Sequence, residues 1–165
     1  ALAMLPPTIP LIIMALAMLS WLAQIGLSGK VISIIISHTV LGAPFAMAVI
    51  RLRFNDMDPN LEAASWNLGA SEWRAMREVV IPFAMPSIIA ALCLTAAVSF
   101  DEFAVAWFVS GLNKTIPVVI LEILQGNVDP QINAIGTFVF VISITLIVIA
   151  QFLMLSKGKK EVAAQ

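Results

Sequence analysis

Residues 54–86 of the sequence read FNDMDPNLEAASWNLGASEWRAMREVVIPFAMP, a stretch with interspersed charged residues between two long apolar ones. We refer to it as the central segment. Local rules divide it into two short helices. Asp58 followed by Pro59 is typical of a helix start, and Gly69 sits where a helix ends in a left-handed turn. Ser71 is a suitable cap for the second helix, so we predict a helix, a tight turn and another helix.

The sequence on either side of the central segment is apolar enough to cross a membrane. The chain has 165 residues, of which 61% are hydrophobic and 12% charged, and its mean hydropathy is +1.00. A spanning helix needs about 20 mostly apolar residues. We therefore predict an all-α transmembrane protein, a single domain over residues 1–165. Its membrane helices are expected at roughly 8–25, 31–50, 86–109 and 133–156.

Positive charges predict the orientation of these helices. Seven of the nine Lys and Arg residues fall in two places, between the second and third helices or after the fourth. Short loops rich in Lys and Arg stay on the cytoplasmic side of a membrane. We therefore expect the central segment and the C-terminus to be cytoplasmic. The seven residues are Arg51, Arg53, Arg74, Arg77, Lys157, Lys159 and Lys160.

One face of the first short helix carries apolar and small side chains. Leu61, Ala64, Ser65 and Leu68 recur every three or four residues, a spacing that places them on one stripe. The stripe is suited to contact another protein surface. Periodicity alone equally allows the alternative, in which both short helices merely cover the membrane surface.

The central segment resembles the EAA loop of bacterial binding-protein-dependent ABC transporter permeases. That loop has Glu-Ala-Ala, three residues, Gly, nine residues, then Ile, any residue, Leu-Pro. The second half fits with aliphatic replacements, whereas Glu62 lies seven residues before Gly69 and the family's glutamate lies six before, where this chain has Ala63. The resemblance implies that this loop couples the permease to an ATPase. The candidate coupling residues are Glu62, Ala63, Ala64, Gly69, Ala70, Ser71, Val79, Ile81 and Pro82.

Two prolines lie where the central segment meets the third membrane helix. Pro82 lacks a backbone N–H, so we expect it to end the second short helix before the membrane helix begins. Together with Pro86, it predicts a defined bend at the junction.

The resemblance extends through the C-terminal half of the chain. Residues 99–111 (SFDEFAVAWFVSG), 115–117 and 128–137 resemble permeases of the polyamine branch, of the spermidine/putrescine type. It implies the ABC importer permease (MetI-like) fold, which usually has six helices. The four seen here would match the third to sixth, and the chain, which opens inside an apolar stretch, is expected to lack the first two. A polyamine is the expected substrate, although permeases for iron(III), thiamine or other small solutes share much of the pattern.

The energy source is expected on another chain, because the sequence contains no G-x-x-x-x-G-K-[ST] phosphate loop. We expect a transporter subunit rather than an enzyme, with no cofactor of its own and with ATP and Mg bound by the partner. The resemblance implies a cytoplasmic ABC ATPase dimer, a second permease subunit that is identical or homologous, and an extracytoplasmic substrate-binding protein. It also implies the bacterial inner membrane, with lipid around the helices. The net charge of −1 argues against nucleic acid.

Asp101 and Glu102 are the acidic residues that interrupt a predicted membrane helix. A charge there costs several kcal/mol unless it faces water, a partner or a cavity. The pair is therefore a candidate for a cationic substrate pathway, with Trp107 either an outer gate or an interface anchor. The alternatives are that the acids lie at the headgroup level, pair with a neighbouring subunit, or serve an ion-coupled secondary carrier.

Other residues in the apolar stretches are expected to pack the helices together. Ser87, Ala91, Thr95 and Ser99 form a stripe that suits close contact with a neighbouring helix. His38, the single histidine, is interpreted as a hydrogen-bonding residue between helices. Residues 116–125 are either a short interfacial helix or a packed surface loop.

Overall fold

The computed structural model describes residues 6–126 and 130–162, and every regular element in them is helical. The all-helical class is therefore confirmed. A 3₁₀ turn at Pro6–Thr8 and a π-helical turn at Met76–Val80 supplement eight α-helices in the described residues. The α-helices are α1 (Leu11–Gln24), α2 (Val31–Asn55), α3 (Asn60–Asn67), α4 (Glu72–Ala75), α5 (Ile81–Asp101), α6 (Ala104–Val109), α7 (Ile116–Gly126) and α8 (Gln131–Val162).

Within the described residues, three helical stretches are long and apolar enough to cross a membrane. They are Val31–Asn55, Glu72–Asp101 and Gln131–Met154. The predicted first helix is present as α1 but has only 14 residues, which give a length of about 21 Å and fall short of a membrane core of about 30 Å. Pro10 directly precedes α1, and Gly26 follows it with a φ of +69°.

The predicted third membrane helix, 86–109, is wrong at both ends. The helix begins well before residue 86 and ends at Asp101. Glu102 then adopts an extended backbone, and α6 begins at Ala104. The Glu102 carboxylate Oε1 accepts a hydrogen bond of 2.6 Å from the Val105 N–H. This side chain occupies a backbone donor at the start of α6, so a new helix begins where the sequence suggested continuation.

The prediction that Pro82 ends the second short helix is also wrong. The helix continues from α4 through the π-helical turn into α5. In that turn the Ile81 N–H donates to the carbonyl of Met76, five residues back. Pro82 follows this widened turn directly, in the first turn of α5, and the continuous helix accommodates its missing N–H there. Pro86 lies inside α5 without ending it.

Helix α5 is the central element, packed against α2 on one side and α8 on the other. The predicted packing stripe is confirmed. Ser87 and Ala91 are buried, and a Cβ added to Gly42 of α2 would lie 3.3 Å from Thr95 Cγ2. A second packing group joins α1, α2 and α6. Its buried members are Met14, Ala15, Leu22, Leu41, Val105 and Val109.

The turn between α1 and α2 packs directly against the turn that follows α6. Gly29 (φ +74°) and Gly111 (φ +57°) approach so closely that a Cβ on Gly111 would lie 2.7 Å from Gly29 Cα. The Gly29 N–H donates to the Val109 carbonyl at 3.3 Å, and Asn113 Nδ2 donates to the Gly29 carbonyl at 2.8 Å. We call Gly29, Val109, Gly111 and Asn113 the glycine contact. It ties the α1–α2 hairpin to the end of α6.

Candidate functional site

The central segment folds as the predicted pair of short helices. The Asn60 N–H donates to Asp58 Oδ1 at 2.9 Å, so Asp58 caps α3, which starts one residue after Pro59. Gly69 has a φ of +82°. Its N–H donates to the Trp66 carbonyl and the Ala70 N–H to the Ser65 carbonyl, at 2.9 and 3.1 Å. This pair of bonds is the Schellman ending of a helix.

The second helix of the central segment has the predicted cap. Ser71 is extended, and its Oγ accepts a hydrogen bond of 3.3 Å from the Arg74 N–H. Arg74 in turn pairs with Glu78 one turn later, with a distance of 3.1 Å between Arg74 Nε and Glu78 Oε1. The Ser71 cap and the Arg74–Glu78 pair therefore stabilise the start of the second helix directly after the Gly69 turn.

Large apolar side chains of the central segment point into open space. Leu68 is 89% exposed and Trp73 is 73% exposed, and Leu61 and Trp66 are exposed as well. An ordered surface with several large exposed apolar groups is typical of an interaction site. The groups belong to an ordered turn, and their exposure is compatible both with docking of a protein partner and with the alternative, contact with the membrane surface.

The predicted coupling residues lie on and around this surface. Glu62 is half-buried and its carbonyl accepts a hydrogen bond from Ser65 Oγ at 2.7 Å. The others divide between exposed and half-buried positions. Exposed residues are Ala63, Ala64, Gly69, Ser71, Ile81 and Pro82, whereas Ala70 and Val79 are half-buried.

A cavity of about 670 Å³ lies between α5, α7 and α8. Its walls are mostly apolar, and Asp101 is the one charged side chain among the lining residues that the structure describes. Ser143 of α8 also lines the cavity, and its buried Oγ has no hydrogen-bond partner among the described residues. The arrangement suits a ligand with an alkyl body and a positive group, because a carboxylate stands at the edge of an apolar space.

The structure separates the two predicted pathway acids. Asp101, the last residue of α5, is exposed and lines the cavity. Glu102 is 9% exposed and turns the other way, into the start of α6. Trp107 is partly exposed, with its ring centroid 5.6 Å from that of Phe103. The three residues therefore do not form one cluster, and Glu102 accepts a backbone hydrogen bond at the start of α6, a role that the sequence pattern did not indicate.

His38 joins two helices, as predicted. Its Nδ1 shares a hydrogen bond of 2.7 Å with Ser99 Oγ of α5. At the other end of the same helix pair, Arg53 lies over the Phe83 ring at 4.0 Å from its centroid and donates from Nε to the Phe83 carbonyl at 3.5 Å. The Arg53 and glycine contacts were not predicted, since no local motif marks either pair.

The fold and these two regions define a class of protein: a helical membrane protein that places an ordered, exposed surface at one end of a helix and a cavity at the other. The chain belongs to the family described as binding-protein-dependent transport system inner membrane components, which it matches over residues 1–156. The resemblance predicted from the central segment is thereby confirmed. The protein is a multi-pass membrane component of a transport system.

Curated relatives carry polyamine names. The chain is 30% identical over 145 residues to the spermidine/putrescine transport system permease protein PotC of Haemophilus influenzae, covering 87% of this chain and 56% of that protein. It is 29% identical to PotC of Escherichia coli K12, covering 91% of this chain and 57% of that protein. The putrescine transport system permease protein PotI of Escherichia coli K12 is 29% identical, with coverages of 73% and 42%. The chain therefore spans little more than half the length of the PotC proteins.

Proposed function

We propose that the chain is the permease subunit of an ATP-driven ABC importer that carries a polyamine of the spermidine/putrescine type across the inner membrane. A separate ATPase drives it through the central segment. The observation that carries this proposal is the unbroken helical path between an exposed docking surface and an acid-edged cavity. The names of the relatives support a polyamine over iron(III), thiamine or other solutes.

The docking surface supports the coupling part of the proposal. Leu68 and Trp73 present apolar area on either side of the Gly69 turn, which is itself open. A cytoplasmic ATPase that covers this surface removes both side chains from water, and burial of aromatic groups is a common source of binding energy at interfaces. Glu62, Ala63 and Ala64 lie on α3, the short helix whose C-cap is Leu68, and complete the proposed contact.

The path from this surface to the cavity is one helix. Glu72–Asp101 comprises 30 residues, so its ends lie about 45 Å apart. The helix begins beside the Gly69 turn and ends at Asp101 in the cavity wall. Closure of the ATPase around the central segment therefore reaches the cavity as a movement of a single element.

The cavity supports a cationic substrate with methylene groups. An ammonium group can pair with the Asp101 carboxylate while the alkyl chain lies against apolar walls. We assign Asp101 to the substrate pathway, because it lines the cavity. Trp107 lies nearby in the chain at a partly exposed position. Glu102 contributes by shaping the bend rather than by contacting the substrate.

The remaining partners follow from the same assignment. A second permease subunit and lipid cover the apolar outer faces of the helices, a substrate-binding protein delivers the polyamine on the outer side, and ATP with Mg binds to the ATPase dimer. The clustering of positive charge supports a cytoplasmic position for the central segment and the C-terminus.

The test is uptake by the complete transporter in proteoliposomes, with spermidine as the probe. We expect ATP-dependent uptake that requires the ATPase and the binding protein, and that iron(III) and thiamine do not compete for. As a control for a secondary carrier, spermidine uptake is measured without the ATPase under an imposed ion gradient. Uptake in that control would contradict the proposal, as would competition by thiamine with no effect of putrescine.

A further inference from the structure

We propose that His38 is a positioning residue for transport, acting through Ser99 to hold the outer end of α5 so that Asp101 faces the cavity and Glu102 enters α6. This inference rests on the proposed function. It concerns His38, a half-buried titratable residue that belongs neither to the coupling surface nor to the lining of the cavity.

The first argument is register. His38 and Ser99 share a hydrogen bond, and one turn further along α2 the backbone at Gly42 lies against Thr95. Four residues forward on α2 correspond to four residues back on α5, as in two antiparallel helices in close contact. Small residues alone suffice for such packing. A hydrogen bond adds a fixed direction, because it forms at one rotation and one height of α5 only.

The second argument is position. Ser99 lies two residues before Asp101 and three before Glu102, in the last turn of α5. The helix ends at Asp101, whose side chain lines the cavity, whereas the Glu102 carboxylate lies at the start of α6. A rotation of this last turn by one residue would move each carboxylate by about 100° around the helix axis. The contact that sets this rotation therefore decides which acid faces the substrate.

The third argument is that the imidazole is more polar than packing requires. Its Nε2 is buried and has no hydrogen-bond partner among the described residues. A buried polar atom without a partner is unfavourable, so an apolar residue would pack at least as well here. A role in orientation accounts for a polar ring at this contact, whereas packing does not.

The experiment uses the complete transporter with four variants: His38→Leu, His38→Asn, Ser99→Ala and Thr39→Val. Asparagine keeps a polar atom near the place of Nδ1, whereas leucine removes it. Thr39 is the matched control on α2, because among the described residues its Oγ1 donates within its own helix, to the Ile35 carbonyl at 2.7 Å. For spermidine uptake we expect a KM raised roughly three- to tenfold in His38→Leu and Ser99→Ala, the range that single interhelical hydrogen bonds reach in membranes.

The pattern among variants separates positioning from simple packing. The double variant His38→Leu with Ser99→Ala is expected to equal either single variant, because both remove one bond. His38→Asn and Thr39→Val are expected to stay within about twofold of the unchanged protein. Additive losses, or an unchanged KM in His38→Leu, would overturn the proposal.

A second measurement does not depend on transport. In a Cys93→Ser background, Val105→Cys places a thiol at a position that is fully buried in α6. We expect slow maleimide labelling when His38 is unchanged and in His38→Asn, and labelling roughly tenfold faster or more in His38→Leu because the bend loosens. Equal labelling in all three would contradict the positioning role even if spermidine uptake is ATP-driven. If uptake fails but labelling responds, the polyamine assignment is wrong and the positioning role stands.

Discussion

Two glycines with left-handed backbones mark opposite ends of the helical bundle, and their surroundings differ. Gly69, in the central segment, has no atom within 4 Å of the place where a Cβ would lie. Gly111, in the glycine contact, has backbone within 2.7 Å of that place. The first turn is open on its outer side and the second is filled by the chain itself. The molecule thus leaves the turn at Gly69 open and fills the turn at Gly111 with its own backbone.

The largest effect is expected from Gly69→Pro, which should abolish ATP-driven uptake. Proline fixes φ near −65° and removes the N–H that bonds to the Trp66 carbonyl, so the turn cannot form. Gly69→Ala is the matched control, since it adds only the strain of a left-handed alanine, about 1–2 kcal/mol. Uptake and membrane insertion are measured together. Normal uptake by Gly69→Pro would remove the coupling role of the open turn.

Gly111→Ala is expected to destabilise the protein by about 2–4 kcal/mol, from left-handed strain plus a clash with Gly29. Gly26→Ala, at φ +69° with open space around its Cβ, is expected to cost only the strain. Thermal unfolding in detergent compares the two. Equal losses would mean that the packed and the open glycine do not differ in the way the structure indicates.

Trp73→Ala is expected to weaken binding of the ATPase roughly 10- to 30-fold, as loss of a central aromatic contact does at other interfaces. Leu112→Ala is the control from the opposite end, where a leucine is 95% exposed beside the glycine contact. ATPase retention on the immobilised permease measures both variants. A loss caused by Leu112→Ala and not by Trp73→Ala would reverse the assignment of the two ends.

The smallest effect concerns the two acids. Asp101→Asn is expected to raise the KM for spermidine about three- to tenfold, because a charged partner becomes neutral. Glu102→Gln keeps an oxygen for the Val105 N–H and is expected to change KM by less than about twofold. Uptake kinetics at saturating ATP distinguish them. Equal sensitivity would indicate that both carboxylates contact the substrate.

Local rules were sufficient for most helix positions and for the turn of the central segment. Apolar length located α2 and α8, and cap residues located Ser71 and the ending at Gly69. These features depend on neighbours within about four residues, which sequence patterns record directly.

The predictions for Pro82 and for the helix at 86–109 were wrong because a tertiary contact or an unusual backbone conformation overrides the simplest local rule there. A π-helical turn accommodates Pro82, and the buried side chain of Glu102 starts a new helix inside an apolar stretch. The glycine contact joins two turns that lie far apart in the chain, and no single-residue preference encodes such a pair. Asp101 and Glu102 could be singled out from the sequence because charged residues are unfavourable in a membrane. The opposite directions of their side chains could not be predicted, because they depend on the bend between α5 and α6.

The continuity of Glu72–Asp101 has a mechanical consequence. A helix of about 45 Å that pivots at its Glu72 end by about 10° sweeps its far end through about 8 Å. That travel exceeds the width of an alkyl chain, so a small tilt is enough to open or shut a passage for one. The side chains along the helix need not change their rotamers for this to happen.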